Sequence, residues 1–174
     1  PISTPAGSYV PAIKTGNLLF ISGQIPMEEG KVICTGKVTD DNLETAQKSA
    51  KMCAINLLAQ IKRELGSLDK VTKVVRLSGF INSDAEFYQH PKVINAASDL
   101  FFEIFGDKGK HSRIAVGVAC LPLNSMTEID AVIGLLKSYY FKGKFVAQSE
   151  NHKKIVFDKA KTLALPYIEK YPNR

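Results

Sequence analysis

An α+β domain, one mixed sheet with two helices packed on one of its faces, is the fold class this sequence predicts. Three observations carry it. Apolar residues recur at steps of three and four through two long segments, they alternate with polar ones through several short segments, and the order is strands, helix, strand, helix, hairpin.

Residues 9–14 and 18–22 read as two strands, because Thr15-Gly16-Asn17 supplies turn chemistry between two apolar runs. A second turn at Met27-Glu28-Glu29-Gly30 leads to a short strand over residues 31–34. Leu43, Ala46, Ala50, Cys53, Leu57, Ile61 and Leu65 then form one stripe on a helix over residues 41–65. Asp41 with Glu44 makes its capping-box start and Gly66 its stop. Residues 71–81 have strand composition, with Val71, Lys73, Val75, Leu77 and Gly79 on one face and Thr72, Val74, Arg76 and Ser78 on the other. Pro91 suits a first helical turn, Val93, Ala97, Phe101 and Ile104 form the second stripe, and Gly106 ends it.

Residues 113–121 form a strand with Ile114, Val116, Val118 and Cys120 on one face, read as the helix-facing core. Arg113, Ala115, Gly117 and Ala119 lie on the other, where side chains are small enough for another layer to approach. That layer is expected to be another subunit, because this face, together with Ile133, is too apolar to stay wet. Residues 127–136 are the last strand. A hairpin about Asn124 then sets Cys120 opposite Glu128 and places Arg113 roughly 23 Å from it, so a pocket using both residues needs two chains.

The body spans residues 1–138, and residues 139–174 form a basic C-terminal extension, partly helical through Ile155, Lys159, Thr162 and Ile168, with Pro166 interrupting. The net charge of +6 belongs to this extension: residues 1–138 hold 15 basic and 14 acidic groups, residues 139–174 hold 8 and 3. Phosphate-driven nucleic-acid binding would therefore rest on the extension. No apolar run approaches the ~18 residues of a membrane span. Three cysteines without CxxC spacing and three scattered histidines argue against a zinc site or a disulfide framework and for a reducing, cytoplasmic setting. The chain begins at Pro1 rather than Met, which leaves a processed organellar form open.

Dinucleotide, P-loop, zinc-protease and nucleophile-elbow motifs do not occur. Cys53 and Cys120 read as inert core thiols, Phe101 and Phe102 as helix core, and His111 beside Ser112 as a sequence neighbour only. Four positions carry candidate chemistry. Arg113 suits bidentate carboxylate binding, with a structural ion pair as the competing role. Glu128, sharing a face with Asp130, would orient water or sit as a solvated edge charge. Tyr9 would donate a phenol hydrogen bond or pack. Gly23, after Ser22, would free backbone N–H groups for an anion or simply turn the chain.

Residues 7–13 (Gly-Ser-Tyr-Val-Pro-Ala-Ile) and 16–26, with Ser22-Gly23-Gln24-Ile25-Pro26 at their end, are followed by Asn95-Ala96-Ala97 and then by Arg113, Pro122 and Glu128. In this order and spacing they resemble the RidA/YjgF-like family over residues 7–136. The resemblance implies a chorismate-mutase-like, homotrimeric fold with pockets at subunit boundaries. It also implies cofactor-free and metal-free hydrolysis of reactive enamine and imine acids, such as 2-aminoacrylate, to 2-keto acids and ammonia. By matching position, Arg113 would hold the substrate carboxylate, Glu128 the attacking water, and Tyr9 would reach in from a neighbouring chain. Ser22, Gly23 and Asn95 would flank the pocket. Ala115 stands where the deaminase pattern usually has Cys, and residues 117–124 follow the style of a divergent branch. The same resemblance keeps two other functions in view, an endoribonuclease-like or translation-inhibitor-like protein and a non-catalytic, chaperone-like trimer that binds small carboxylates.

Overall fold

A computed structural model describes residues 7–136; the 139–174 extension lies outside the described residues. The opening hairpin is β1 (Ala12–Thr15) and β2 (Leu18–Gln24), and β3 (Met27–Glu28) with β4 (Lys31–Val32) forms a separate two-stranded ribbon. Then come α1 (Leu43–Leu65), β5 (Val71–Asn82), α2 (His90–Phe105), β6 (Ser112–Val118) and β7 (Thr127–Leu135). The five long strands make one sheet in the order β1-β2-β7-β5-β6, mixed because β6 alone runs parallel to its neighbour. Among the described residues no helix is long and apolar enough to cross a membrane.

Both helical stripes face the sheet. Ala46, Ala50, Cys53, Leu57, Ile61 and Leu65 of α1 are buried with Val93, Ala97, Phe101 and Ile104 of α2 against Leu19, Ile21, Leu77, Ile129 and Ile133. Burying the Val, Leu, Ile and Phe side chains among them stabilises by about 1.5–3 kcal/mol each. The start of α1 differs from the expected capping box at Asp41 and Glu44. The chain first makes a 3-10 turn at Asp40–Asn42, and the Thr39 N–H donates to Asn42 Oδ1 at 2.9 Å. Its end is the expected one: Gly66 adopts left-handed backbone (φ 76) and donates its N–H to Lys62 O. Phe102, expected in the core, is exposed, because it lies one residue off the buried stripe.

The expected hairpin between the last two strands does not form. β5 lies between them, paired with β6 on one side and β7 on the other. The linking residues cross the end of β5 instead: the Asn82 N–H donates to Met126 O, the Met126 N–H to Cys34 O, and Leu123 and Asn124 take left-handed φ of 53° and 55° to make the turn.

The faces of β6 are the reverse of the expectation. Arg113, Ala115 and Gly117 face α2, whereas Ile114, Val116 and Val118 lie on the uncovered side of the sheet. The small side chains admit the same chain's α2: a Cβ on Gly117 would come within 2.6 Å of both His90 Nε2 and Ser83 Oγ. Ile133 is fully buried beneath the helices. The alternation expected in β5 is also broken. Two bulges shift its register, so Val71, Val74 and Leu77 all turn toward the helices and Val75 is exposed. The uncovered face carries Ile13, Phe20, Phe80 and Ile114 together with Glu128 and Asp130.

Candidate functional site

The positions singled out in the sequence fall into two groups on opposite faces of the sheet. The first is built on β6 and α2. Arg113 opens β6 and reaches up to the first turns of α2, where its Nη1 donates to Asn95 Oδ1 and to Ser98 Oγ, each at 2.9 Å, and its Nη2 lies 3.5 Å from Pro91 O. Among the described residues no carboxylate pairs with it, so the competing role, a structural ion pair, is not what the geometry shows. Its acceptors among the described residues are all neutral and none is met by Nε–H, so Nε–H with an Nη2 proton can present an edge of the shape a carboxylate accepts. Ala115, two residues along the same face, is partly buried against the core.

The second group is built on β2, β7 and the segment before β1. Glu128 is half-buried on the central strand β7, not at a sheet edge. It approaches β2 so closely that a Cβ on Gly23 would lie 2.0 Å from its Oε1. Ser22 ties in the segment that carries the exposed Tyr9, donating from Oγ to Val10 O at 2.8 Å and from its N–H to Pro11 O at 3.0 Å. Burial, with the charge of Asp130 adding to it, pushes the Glu128 carboxyl above its ordinary value.

Within one chain the groups do not meet. Arg113 pairs with Leu77 and Glu128 with Phe80, three residues apart along β5, with β5 itself between their strands. The separation is about 14 Å, not the larger hairpin value. Their opposite faces, more than the distance, keep them from sharing a pocket. A Gly23→Ala substitution is expected to force the Glu128 carboxylate aside and change its titration while the thermal transition is retained. A carboxyl NMR titration of Glu128 identical to the parent's would show that the side chain is not displaced.

A two-helix layer on this five-stranded sheet, with the matching residues on the expected strands, agrees with comparison against known proteins. A family model described as "YjgF/chorismate mutase-like, putative endoribonuclease" matches residues 1–135. The chain belongs to that family. Protein TCP17 of Trypanosoma cruzi is 38% identical over 76% of this chain and 84% of its own length. The crystal structure of protein Atu1372 from Agrobacterium tumefaciens superposes with a TM-score of 0.72 at 47% identity, over 75% of this chain and 83% of that one. A 2-iminobutanoate/2-iminopropanoate deaminase of Dermatophagoides farinae is 28% identical over 74% of this chain and 87% of its own.

In a buried core a thiol without water stays protonated, and burial pushes Cys53 up to about 12. Cys120 is exposed, contrary to its expected place in the core, because its strand ends at Val118. Two residues around Arg113 were missed in the sequence, Ser98 and His111. Ser98 was legible as lying three positions after Asn95, on the same face of a helix. His111 carried no such signal, since only the fold brings its ring to Ser98, 3.0 Å from Nε2 to Oγ.

Proposed function

We propose that this chain hydrolyses small reactive 2-imino and 2-enamino acids to 2-keto acids and ammonia in pockets shared between the chains of a homotrimer. One observation carries the reading. Arg113 with Asn95 and Ala115 and Glu128 with Gly23, Ser22 and Tyr9 make two incomplete halves on opposite faces of one sheet, each complementary to the other. A second copy that sets its Glu128 half against the Arg113 half completes a site holding a carboxylate clamp, a proton carrier and a phenol. The apolar side chains of the uncovered face, Ile13, Phe20 and Ile114, supply the surface such an association buries. The 28% identity to an imine deaminase supports the reaction class.

The chemistry asks little of the protein. The unspent edge of Arg113 fixes the substrate carboxylate and so aims the imine carbon at a water held by Glu128. Water oxygen bonds to that carbon as the C=N π pair moves onto nitrogen, and Glu128 takes a water proton and hands it to that nitrogen, giving a carbinolamine. Glu128 then takes the hydroxyl proton as the carbonyl forms and passes it to the amine, which leaves as ammonia and frees the 2-keto acid. Its raised carboxyl pKa lies nearer the working pH of a group that must both accept and release a proton. Neither a metal nor a cofactor enters these steps.

The test is direct. Purified, nuclease-free protein should release ammonia and 2-ketobutyrate from 2-iminobutyrate generated in situ, and should sediment as a trimer. The same sample should leave RNA intact, since residues 1–138, which hold the proposed site, carry a net charge of only +1. A stable monomer at micromolar concentration, or binding of 2-ketobutyrate without hydrolysis, would defeat the catalytic reading.

A further inference from the structure

The guanidinium of Arg113 ends a directed chain of hydrogen bonds. His111 Nδ1 lies 2.6 Å from the carbonyl oxygen of Gly109, and a carbonyl only accepts, so Nδ1 carries the proton. In the neutral ring Nε2 is then an acceptor, and its partner at 3.0 Å is Ser98 Oγ, so the hydroxyl proton points at His111. The Ser98 oxygen is thereby left with its lone pairs toward Arg113, whose Nη1 donates to it at 2.9 Å. Each bond fixes the direction of the next, from Gly109 through His111 and Ser98 to Arg113. Burial, with the Arg113 charge as a smaller contribution, lowers the His111 pKa and favours the neutral ring that this direction requires, against the opposing pull of the Gly109 carbonyl.

Asn95 is the other anchor of the same nitrogen, at 2.9 Å. With both Nη1 protons committed, rotation about the guanidinium is stopped and the Nε–Nη2 edge is presented in one orientation. A bidentate clamp depends on that orientation, because both protons must meet both carboxylate oxygens together.

We propose that Ser98 and His111 are positioning residues for Arg113, holding its free edge in the orientation that binds a small carboxylate. The inference rests on the reading of Arg113 as a carboxylate clamp. Three variants isolate the chain. Ser98→Ala removes the hydroxyl and Ser98→Thr restores it. His111→Asn keeps a donor for Gly109 O and removes the Nε2 acceptor. The full chain is used throughout, with 2-ketobutyrate as the binding probe and in situ 2-iminobutyrate as substrate.

Ser98→Ala is expected to raise both the Kd for 2-ketobutyrate and KM by about tenfold, with kcat within about twofold of the parent. His111→Asn should shift the same constants in the same direction, and Ser98→Thr should restore them. Nitrogen-detected NMR of the Arg113 side chain gives a readout independent of any ligand. Slow guanidinium rotation is expected in the parent and in Ser98→Thr, fast rotation in Ser98→Ala and His111→Asn. Unchanged Kd, KM and rotation in these last two variants would overturn the proposal, and so would a fall in kcat at constant KM. Should Ser98→Ala not fold, His111→Asn carries the test alone. If rotation responds as expected but the parent binds no 2-ketobutyrate, the positioning stands and the carboxylate reading of Arg113 falls.

Discussion

Arg113→Ala is expected to lower kcat/KM for imine hydrolysis by at least about 100-fold, because the substrate loses the group that aims it. Arg113→Lys keeps the charge but not the two-pronged donor edge, and should fall between the two. The halves on opposite faces make a sharper test available. Mixing Arg113→Ala chains with Glu128→Ala chains places an intact Arg113 half against an intact Glu128 half in some of the mixed assemblies. Two inactive proteins should therefore regain part of the parent activity after subunit exchange. Exchange without recovery, when the parent is active, would show that the two residues do not serve one shared pocket.

Glu128→Gln is expected to reduce kcat by about 100-fold or more, the ordinary cost of losing a positioned proton carrier. Its pH dependence follows from the environment of the carboxyl. Only the ionised form takes a proton from water, and burial with Asp130 raises the pKa. Activity should therefore rise with pH through a value above this carboxyl's ordinary one, and fall away below it. Asp130→Asn removes the neighbouring negative charge, lowers that pKa, and should move the rising limb to lower pH. Profiles of kcat/KM against pH for the parent, Asp130→Asn and Glu128→Gln check both points. A limb of unchanged position in Asp130→Asn, or one surviving in Glu128→Gln, would assign the titration to a different group.

Sequence alone determined the two helices, the stripes they bury, and the residues worth examining, because these are local properties. A 3.6-residue period from Ala46 to Leu65 can be satisfied only by a helix with one buried side, and Gly66 after it meets a backbone requirement that few residues can. Ser22-Gly23, Arg113 and Glu128 were legible one by one from residue type and place on a strand, and as a set only through the family resemblance.

Only the tertiary structure decided which strands are neighbours and which face of each strand is covered. Alternation in β6 distinguishes two faces but does not say which one meets a helix, and small side chains admit a helix of the same chain as readily as another subunit. A residue pattern also cannot reveal that residues 119–126 cross the end of β5, since an eight-residue link can close a hairpin or step over a strand. Those two decisions place Arg113 beneath α2, in reach of Asn95, Ser98 and, through Ser98, His111, and leave Glu128 on the far side against Gly23. The sequence-based expectation of a second chain rested on a hairpin that does not form. A pocket shared by Arg113 and Glu128 would need one for a different physical reason: a sheet is impermeable to side chains, so groups on its two faces could meet only across a boundary between molecules.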